Sequence, residues 1–341
     1  MKRTFDPIRR SFLKAGVSAA AAGIVSAPWL GLGRSFAADA PVSFQLSWIK
    51  SIQYGGFFAG IENGNFKKFG IEPTFVSGGP NVDPVANVAS GQSQLGDRPI
   101  GPLIVAREKG IPIKVIGTVF QKSPYSIMSL AKTPIKTIQD MKGKTIAVST
   151  SGKPLLLNLI IDGGLKPDDV KIVPSAPDPA ALVSGQLDGY CGYVTNQGVM
   201  LKTRGVEIFA LNAQELGLPE TTGTIYARED YLAANRDTVV RFLKGAVEAH
   251  KWALANPEPT AKLMVDKYGA PGLNYQAQLT EIKESKPYIE FGPGTSKGLL
   301  ALDIPLFEKI IAIYRKVGMV KTEMKAADLC DASFIDAALT S

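Results

Sequence analysis

Trp48, Gln53 and Tyr54 are the first residues that could bind a ligand, because they follow an alternating apolar stretch at 42–47 that predicts a strand. Aromatic rings at a strand-to-helix turn can stack on a planar ring, and the Gln53 amide can fix the orientation of that ring. Trp48 can equally cap a hydrophobic core. The group therefore predicts either a surface for a flat ligand or the edge of a core.

A second group, Ser149, Thr150 and Ser151, lies where a predicted strand at 145–149 leads into a helix that begins near Lys153. Hydroxyls, free backbone N–H groups and the positive helix end suit an anionic or carbonyl-rich ligand. The same hydroxyls can cap the helix with no ligand present. The segment lacks the Gly-x4-Gly-Lys-Ser/Thr spacing of a nucleotide-binding loop, so a phosphate cradle of that type is not expected.

A third group, Tyr190, Tyr193 and Asn196, lies in and after a short predicted strand at 189–193. Strand alternation assigns Tyr190 partly to the core, which leaves Tyr193 and Asn196 as the stronger candidates. An aromatic ring here, opposite Trp48, would sandwich a planar ligand.

Three loop residues complete the candidate ligand-binding set. Gly79 and Asn81 allow a backbone to approach a ligand closely, or simply form a turn. Glu220 precedes a predicted strand at 224–227, in a loop that either faces the same cleft or is solvated.

Residues for catalysis or metal binding are scarce. The 341 residues include one His and two Cys, too few for zinc ribbons, iron–sulfur clusters or multi-His centres. His250 lies in a helical pattern without neighbouring partners, which favours a structural role. Cys191 and Cys330 are expected to be free thiols in different parts of the fold. We therefore predict that the protein is not an enzyme and holds no cofactor or metal.

The net charge of +7 is concentrated at the N-terminus. Residues 1–37 carry six basic side chains and one acidic side chain, whereas the remaining chain has a net charge of only +2. A nearly neutral body lacks the basic face that binds a phosphate backbone. Nucleic acid is therefore excluded as a partner.

The N-terminal segment has the pattern of an export signal. Arg9-Arg10-Ser11-Phe12-Leu13-Lys14 stands directly before a mild apolar run at 15–32. This order is typical of a twin-arginine leader, and the run is too rich in Ala and Gly for a membrane span. Residues 1–37 are predicted to engage the twin-arginine export machinery, with cleavage near Ala37 releasing the protein into the periplasm.

The rest of the chain alternates short apolar runs with helical patterns, which predicts an α/β fold. The further predicted strands are 71–76, 113–120, 126–131, 170–174 and 207–212, and the longer predicted helices are 55–68, 235–255, 258–268, 275–285 and 302–317.

An internal repetition indicates how these elements are grouped. The segment at 83–92 is similar to that at 178–186, and each predicts a helix with Asp-Pro at its start and Ser-Gly-Gln at its end, followed by a short strand. The repetition predicts two similarly built lobes. If predicted strands at 125–132 and 222–228 run side by side, they form a hinge around an inserted lobe.

The mature chain resembles the periplasmic substrate-binding proteins of ABC importers for thiamine pyrimidine precursors, riboflavin, sulfonates and nitrate. The matching motifs are Leu46-Ser47-Trp48, the segment at 56–71, Ser90-Gly91-Gln92, Lys142-Gly143-Lys144 and the segment at 187–197. The resemblance implies a two-lobe, type II-like fold with two crossover strands as hinge. It also implies a small-molecule ligand and a permease partner in the inner membrane. We expect lobe 1 to comprise 38–127 and 226–341, and lobe 2 to comprise 128–225.

Departures from the family's motifs bear on the ligand. Tyr54 stands where pyrimidine-precursor binders usually have His, and Gln197 replaces a Glu. An amide offers one acceptor and a donor pair where a carboxylate only accepts, so the ligand need not be that pyrimidine. The enzymatic branch of the family has a Cys-rich run, whereas the corresponding stretch at 218–223 contains no Cys.

These observations favour a periplasmic solute-binding protein that captures a small planar heteroaromatic nutrient, pyrimidine- or flavin-like, in an interlobe cleft. An alkanesulfonate or nitrate receptor that uses the helix start after Ser149 is the alternative. A pyrimidine-precursor synthase is a further one.

Overall fold

Two mixed five-stranded sheets organise the protein in the computed structural model, which describes residues 39–150, 152–316 and 318–340. The strands are β1 Ala40–Gln45, β2 Ile71–Val76, β3 Leu95–Arg98, β4 Ile113–Phe120, β5 Tyr125–Leu130, β6 Thr145–Val148, β7 Lys171–Pro174, β8 Gly189–Tyr193, β9 Ile208–Asn212 and β10 Thr222–Arg228. The predicted leader at 1–37 and Ser151 lie outside the described residues.

The two sheets have the same arrangement. The first has the order β2-β1-β3-β10-β4 and the second β7-β6-β8-β5-β9. In each, three strands are parallel, and the fourth, β10 or β5, is antiparallel to both of its neighbours. The equal strand orders confirm the prediction of two similarly built lobes. We call the first sheet with its helices lobe 1 and the second sheet with its helices lobe 2.

The prediction that the strands near 125 and 222 run side by side is wrong. β5 belongs to the second sheet and β10 to the first, because each strand pairs within the lobe that the chain enters at that point. The crossings between lobes are instead the connections at 121–124 and 213–221. They touch each other, since the Ser123 N–H donates to the Glu220 carbonyl oxygen at 3.0 Å.

Helices cover the sheets. They are α1 Gly55–Glu62, α2 Asn65–Lys68, α3 Pro84–Ala89, α4 Ile100–Glu108, α5 Lys153–Asp162, α6 Ala180–Val183, α7 Val199–Thr203, α8 Glu229–Ala234, α9 Arg236–Ala255, α10 Pro257–Leu263, α11 Tyr275–Ile289, α12 Pro293–Ser296, α13 Ile304–Lys316, α14 Ala326–Leu329 and α15 Ser333–Leu339. Short 3-10 turns occupy Ile52–Tyr54, Gln139–Met141 and Pro167–Asp169, and π-helical turns occupy Val194–Gly198 and Met264–Tyr268.

Local sequence explains several of these boundaries. The predicted helix at 55–68 is two helices, because Gly64 adopts a left-handed conformation with φ of +71°. The Asp83 carboxylate accepts from the N–H groups of Val85 and Ala86, which begins α3 as predicted. No described helix is long and apolar enough to cross a membrane.

The core of lobe 1 is rich in aromatic rings. Phe44 of β1 lies 5.0 Å from Phe57 of α1 and 5.8 Å from Phe242 of α9, centroid to centroid. His250 of α9 meets Phe57 edge-on at 4.7 Å. Lobe 2 has a smaller core of aliphatic residues on the two faces of its sheet. The cysteines are free and buried, Cys191 in β8 and Cys330 beside β4.

Candidate functional site

A cavity of about 340 Å³ is lined by residues of both lobes. Its walls include the segments that follow β1, β6, β7 and β8, together with the last residue of β3. These are the carboxyl ends of the parallel strands of both sheets, where open α/β sheets bind ligands. The strand topology therefore brings the loops that carry the candidate ligand-binding residues together around this cavity.

Trp48 lines the cavity from lobe 1 and is held by its own backbone. Its N–H donates to the Tyr54 hydroxyl at 2.9 Å, and its carbonyl oxygen accepts from the Gly78 N–H at 3.0 Å. A Cβ atom at Gly78 would stand 2.2 Å from the Leu46 carbonyl oxygen, so only glycine fits against this turn. The backbone that carries the indole is therefore fixed on two sides.

A buried polar network lies behind Trp48. The Asp97 carboxylate accepts from the N–H of Ser47 at 2.9 Å and from its hydroxyl at 2.7 Å. The Ser47 hydroxyl in turn lies 3.0 Å from the Tyr54 hydroxyl. Burial raises the pKa of Asp97 to about 6 and raises that of Tyr54 well above its usual range. Tyr54 thus supports the turn that carries Trp48.

Tyr193 lines the cavity from lobe 2 and also reaches lobe 1. Its hydroxyl is hydrogen-bonded to the Thr222 hydroxyl of β10, and its ring lies edge-on to Tyr125 with centroids 6.4 Å apart. Its N–H donates to the Gln197 side-chain oxygen at 2.9 Å. Burial raises the pKa of Tyr193, so the phenol is neutral.

Asn196 and Gln197 present amides to the cavity from the π-helical turn after β8. Asn196 is buried and donates to the Glu281 carboxylate of α11 at 2.7 Å. Burial raises the pKa of Glu281 to about 8. Gln197, noted in the sequence as a departure from a carboxylate, orients Tyr193 and is itself a wall residue.

Ser149, Tyr190, Gln53 and Glu220 also line the cavity. The Ser149 hydroxyl accepts from the Gly152 N–H at 3.2 Å, a contact at the start of α5. Tyr190 is buried, and its hydroxyl donates to the Ala176 carbonyl oxygen at 2.5 Å. Glu220, on the second crossing, is buried, which raises its pKa to about 7 although the Gly101 N–H donates to it.

Four candidates lie off the cavity wall. Tyr54 is buried behind Trp48, Gly79 is buried beyond it in the turn after β2, and Asn81 and Thr150 are exposed. Ser151 is outside the described residues.

Arg98 is the principal wall residue that sequence reasoning missed. It is the last residue of β3, so the rule that ligands meet the carboxyl ends of strands would have found it. Its Nε atom is buried and has no hydrogen-bond partner. The guanidinium adds a cation to a wall whose other ionisable residues include Asp83, Lys109 and Glu220.

Burial holds the His250 imidazole and the Cys191 thiol in their neutral forms. His250 lies in the core of lobe 1, with Nδ1 2.8 Å from the Ala246 carbonyl oxygen, and burial lowers its pKa to about 4. Cys191 lines the cavity, and burial raises its thiol pKa to about 12. Among the described residues, no group of three or more His, Cys, Asp or Glu side chains could hold a metal ion.

The fold is that of two-lobe, type II periplasmic binding proteins. The alkanesulfonate-binding protein SsuA from Xanthomonas axonopodis pv. citri bound to MOPS has a similar structure, with a TM-score of 0.65 and 17% sequence identity over 86% of this chain and 99% of that chain. The NMT1/THI5-like family model matches residues 51–260. The chain belongs to the NMT1/THI5-like family.

Curated relatives in this family differ in their ligands and activities. The riboflavin-binding protein RibY of Chloroflexus aurantiacus is 25% identical over 82% of this chain and 81% of its own length. The taurine-binding periplasmic protein of Escherichia coli is 31% identical over 51% of this chain and 55% of its own length. A pyrimidine phosphate synthase of Schizosaccharomyces pombe is 24% identical over 65% and 68%, respectively.

Proposed function

We propose that this solute-binding protein captures a small planar heteroaromatic nutrient, pyrimidine- or flavin-like, between its two lobes. The observation that carries the proposal is that Trp48 of lobe 1 and Tyr193 of lobe 2 line one cavity. Rings from two bodies that meet over a cleft can stack on both faces of a flat ligand. The amides of Gln53, Asn196 and Gln197 supply the few oriented polar groups that such a site needs.

Binding without chemistry is the activity that these groups support. A general base must reach its substrate and titrate near the working pH. His250 is in the core of lobe 1 rather than at the cavity, and burial raises the pKa of the Cys191 thiol far above neutrality. The cavity wall thus provides stacking surfaces, hydrogen bonds and the buried Glu220 carboxyl group, whose pKa is raised to about 7, and it holds neither the His250 imidazole nor an activated thiol.

The cellular setting follows from the leader and the family. We propose export by the twin-arginine machinery through residues 1–37, release into the periplasm near Ala37, and delivery of the ligand to an ABC permease in the inner membrane. The two lobes, divided at the crossings 121–124 and 213–221 rather than at 127 and 225, would close on the ligand about these crossings.

A thermal-shift panel tests the proposal. Riboflavin, 4-amino-5-hydroxymethyl-2-methylpyrimidine, taurine and nitrate are compared at equal concentration, and a ligand that binds the folded protein stabilises it by RT ln(1 + [L]/Kd), which raises the melting temperature. We expect a shift with a ring-bearing compound, absent in Trp48→Ala and retained in Trp252→Phe, whose indole packs on the lobe 1 core. A shift with taurine or nitrate alone would contradict the proposal.

A further inference from the structure

Arg98 carries a positive charge that no described residue neutralises by direct contact. The guanidinium of Arg98 forms no hydrogen bond or ion pair with any of residues 39–150, 152–316 or 318–340, and its Nε atom is buried. A partly buried guanidinium left without partners loses the hydration that an exposed one keeps. Its position on the cavity wall makes a ligand group the available partner.

The carboxyl groups around Arg98 are engaged elsewhere. Both carboxylate oxygens of Asp97 accept hydrogen bonds from Ser47. Asp83 caps α3 by accepting hydrogen bonds from the N–H groups of Val85 and Ala86. Glu220 accepts from the Gly101 N–H and sits in surroundings that favour its neutral form. Asp83 accepts both of its hydrogen bonds on Oδ1, and none of the three carboxyl groups is paired with the guanidinium, so none takes the place of a ligand oxygen.

Arg98 also lies beside the aromatic residues of the cavity. In the β3–β10 register it is opposite Thr224, and Thr222, which holds the Tyr193 hydroxyl, is two residues along the same strand and on the same face. Trp48 follows Ser47, which is bonded to the residue preceding Arg98. A ring held by Trp48 and Tyr193 would therefore bring its substituents next to the guanidinium.

The cavity continues away from Arg98 along α4. Its wall includes Gly101, Pro102, Val105, Ala106 and Lys109, a spacing that marks one face of the helix. The eight residue steps from Gly101 to Lys109, at a helical rise of about 1.5 Å each, span about 12 Å. The same wall also includes the apolar side chains of Leu155 and Met319 and the ring of Tyr314, whose hydroxyl lies against Gly101.

We propose that the ligand is an elongated aromatic oxyanion whose carboxylate or sulfonate group is bound by Arg98 while an apolar portion lies along α4. This inference rests on the proposed capture of a planar ring and goes beyond it, since riboflavin and the pyrimidine of the thermal-shift panel carry neither a carboxylate nor a sulfonate. Arg is suited to the role because its planar fork donates two parallel hydrogen bonds to such a group. The Arg98 guanidinium is thus the group that makes the site bind an oxyanion more tightly than a neutral analogue of the same shape.

Matched probes with one ring system test this assignment by calorimetry at pH 6. The probes are 2-naphthoate, naphthalene-2-sulfonate and the neutral 2-naphthamide, with benzoate as the shorter acid. We expect at least one oxyanion to bind about tenfold or more tightly than the amide, as a charge-assisted hydrogen bond allows. We also expect 2-naphthoate to bind more tightly than benzoate, because its second ring lies along α4.

Three variants separate the role of Arg98 from folding. Arg98→Gln should bring the oxyanion-to-amide ratio close to one while leaving 2-naphthamide affinity unchanged, and Arg98→Lys should keep part of the preference. Arg107→Gln removes a positive charge from the same helix, on a side that pairs with Glu229 at 2.8 Å, and should keep the full ratio.

The other possible binding results contradict either the role of Arg98, the elongated shape of the ligand or the proposed function. A wild-type protein that prefers the amide, or an Arg98→Gln variant that retains the preference, overturns the role of Arg98. Equal affinities for benzoate and 2-naphthoate overturn the elongated shape. Binding of taurine but of no aromatic probe overturns the proposed function, and a loss of taurine binding in Arg98→Gln would still support an oxyanion site there.

Discussion

The two lobes share a strand order and differ in what stands at the ends of their strands. Lobe 1 brings the charged groups to the cavity, Asp97 behind Ser47 and Arg98 on the wall. Lobe 2 brings Tyr193, Asn196 and Gln197, which are uncharged. The comparison shows that the common topology determines where the ligand-binding site lies, whereas the residues after each strand determine which ligand is recognised.

The turns at the two cavity edges also differ in rigidity. At Gly78 in lobe 1 an added Cβ would meet backbone, 2.2 Å from the Leu46 carbonyl oxygen. At Gly152 in lobe 2 it would meet the Tyr125 hydroxyl at 2.6 Å, a side-chain end that can shift. Lobe 1 is therefore the fixed half of the site, and lobe 2 the half that can adjust.

Replacing these glycines by alanine gives the largest expected effect on stability. Gly78→Ala should lower the free energy of unfolding by about 3 kcal/mol or more, because the backbone at 46–48 must move. Gly152→Ala should lower it by about 1 kcal/mol, since only side-chain atoms, the Tyr125 hydroxyl foremost, must move. Chemical denaturation of both variants measures the difference, and equal losses would remove the proposed contrast in rigidity.

Removing one aromatic ring at a time should weaken ligand binding next most strongly. Trp48→Ala and Tyr193→Ala are each expected to reduce affinity for the ring-bearing ligand about 10- to 100-fold, since each loses a stacking contact and buried apolar area. Tyr193→Phe keeps the ring and loses only the Thr222 contact, so calorimetry should show a change below about tenfold. A full loss in Tyr193→Phe would mean that the hydroxyl, not the ring, matters.

The burial of Glu281 predicts a pH dependence of stability. Burial raises the pKa of Glu281 from 4.5 to about 8. The stabilisation from its protonated form is complete below pH 4.5 and is lost as pH rises to about 8. The melting temperature should therefore fall between pH 5 and pH 8.5, and Glu281→Gln should flatten that fall. Asp97 and Glu220 titrate in the same direction, so a residual slope is expected.

An unchanged slope in Glu281→Gln would contradict the assignment. Glu284, one turn further on α11, is a matched control because it is an exposed carboxylate paired with Lys202. Glu284→Gln should leave the pH dependence of the melting temperature unchanged.

The equivalent aspartates at the starts of α3 and α6 give the smallest effect and the sharpest comparison between lobes. Asp83 is the cap residue of α3 and accepts from Val85 at 3.0 Å, and Asp178, one residue before the cap residue Pro179 of α6, accepts from Ala180 at 3.0 Å. Asp83→Ala and Asp178→Ala should each lower the free energy of unfolding by about 1 kcal/mol. The exposed Arg204–Asp178 pair adds little to the second value. A difference of several kcal/mol between the two would contradict the equivalence of the caps.

Features that depend on local sequence could be predicted. The Asp-Pro starts of α3 and α6, the strand ends that carry Trp48 and Ser149, and the partly core position of Tyr190 all follow from short-range patterns. Strand existence was predicted well for the same reason, and the limits 71–76, 113–120 and 189–193 match β2, β4 and β8.

Long-range pairing could not be predicted in the same way. The partners of β5 and β10 are chosen by the sheet that each strand enters, which no local pattern encodes. Asn196 and Glu281 are 85 positions apart, and Tyr54 meets the Trp48 N–H only because a 3-10 turn folds it back. Arg98 differs from these residues, because it ends the short strand that follows the segment at 83–92 and its place at a carboxyl strand end is a local feature.

Fluorescence of single-tryptophan variants tests the central claim most directly. In Trp29→Phe/Trp252→Phe, Trp48 is the remaining indole, and in Trp29→Phe/Trp48→Phe the remaining indole is Trp252, which packs on the core of lobe 1 away from the cavity. On titration with the compound that gives the largest thermal shift, the emission of Trp48 should be quenched in a saturable manner, and that of Trp252 should stay constant. Saturable binding that leaves the Trp48 emission unaltered would contradict a ring held against that indole.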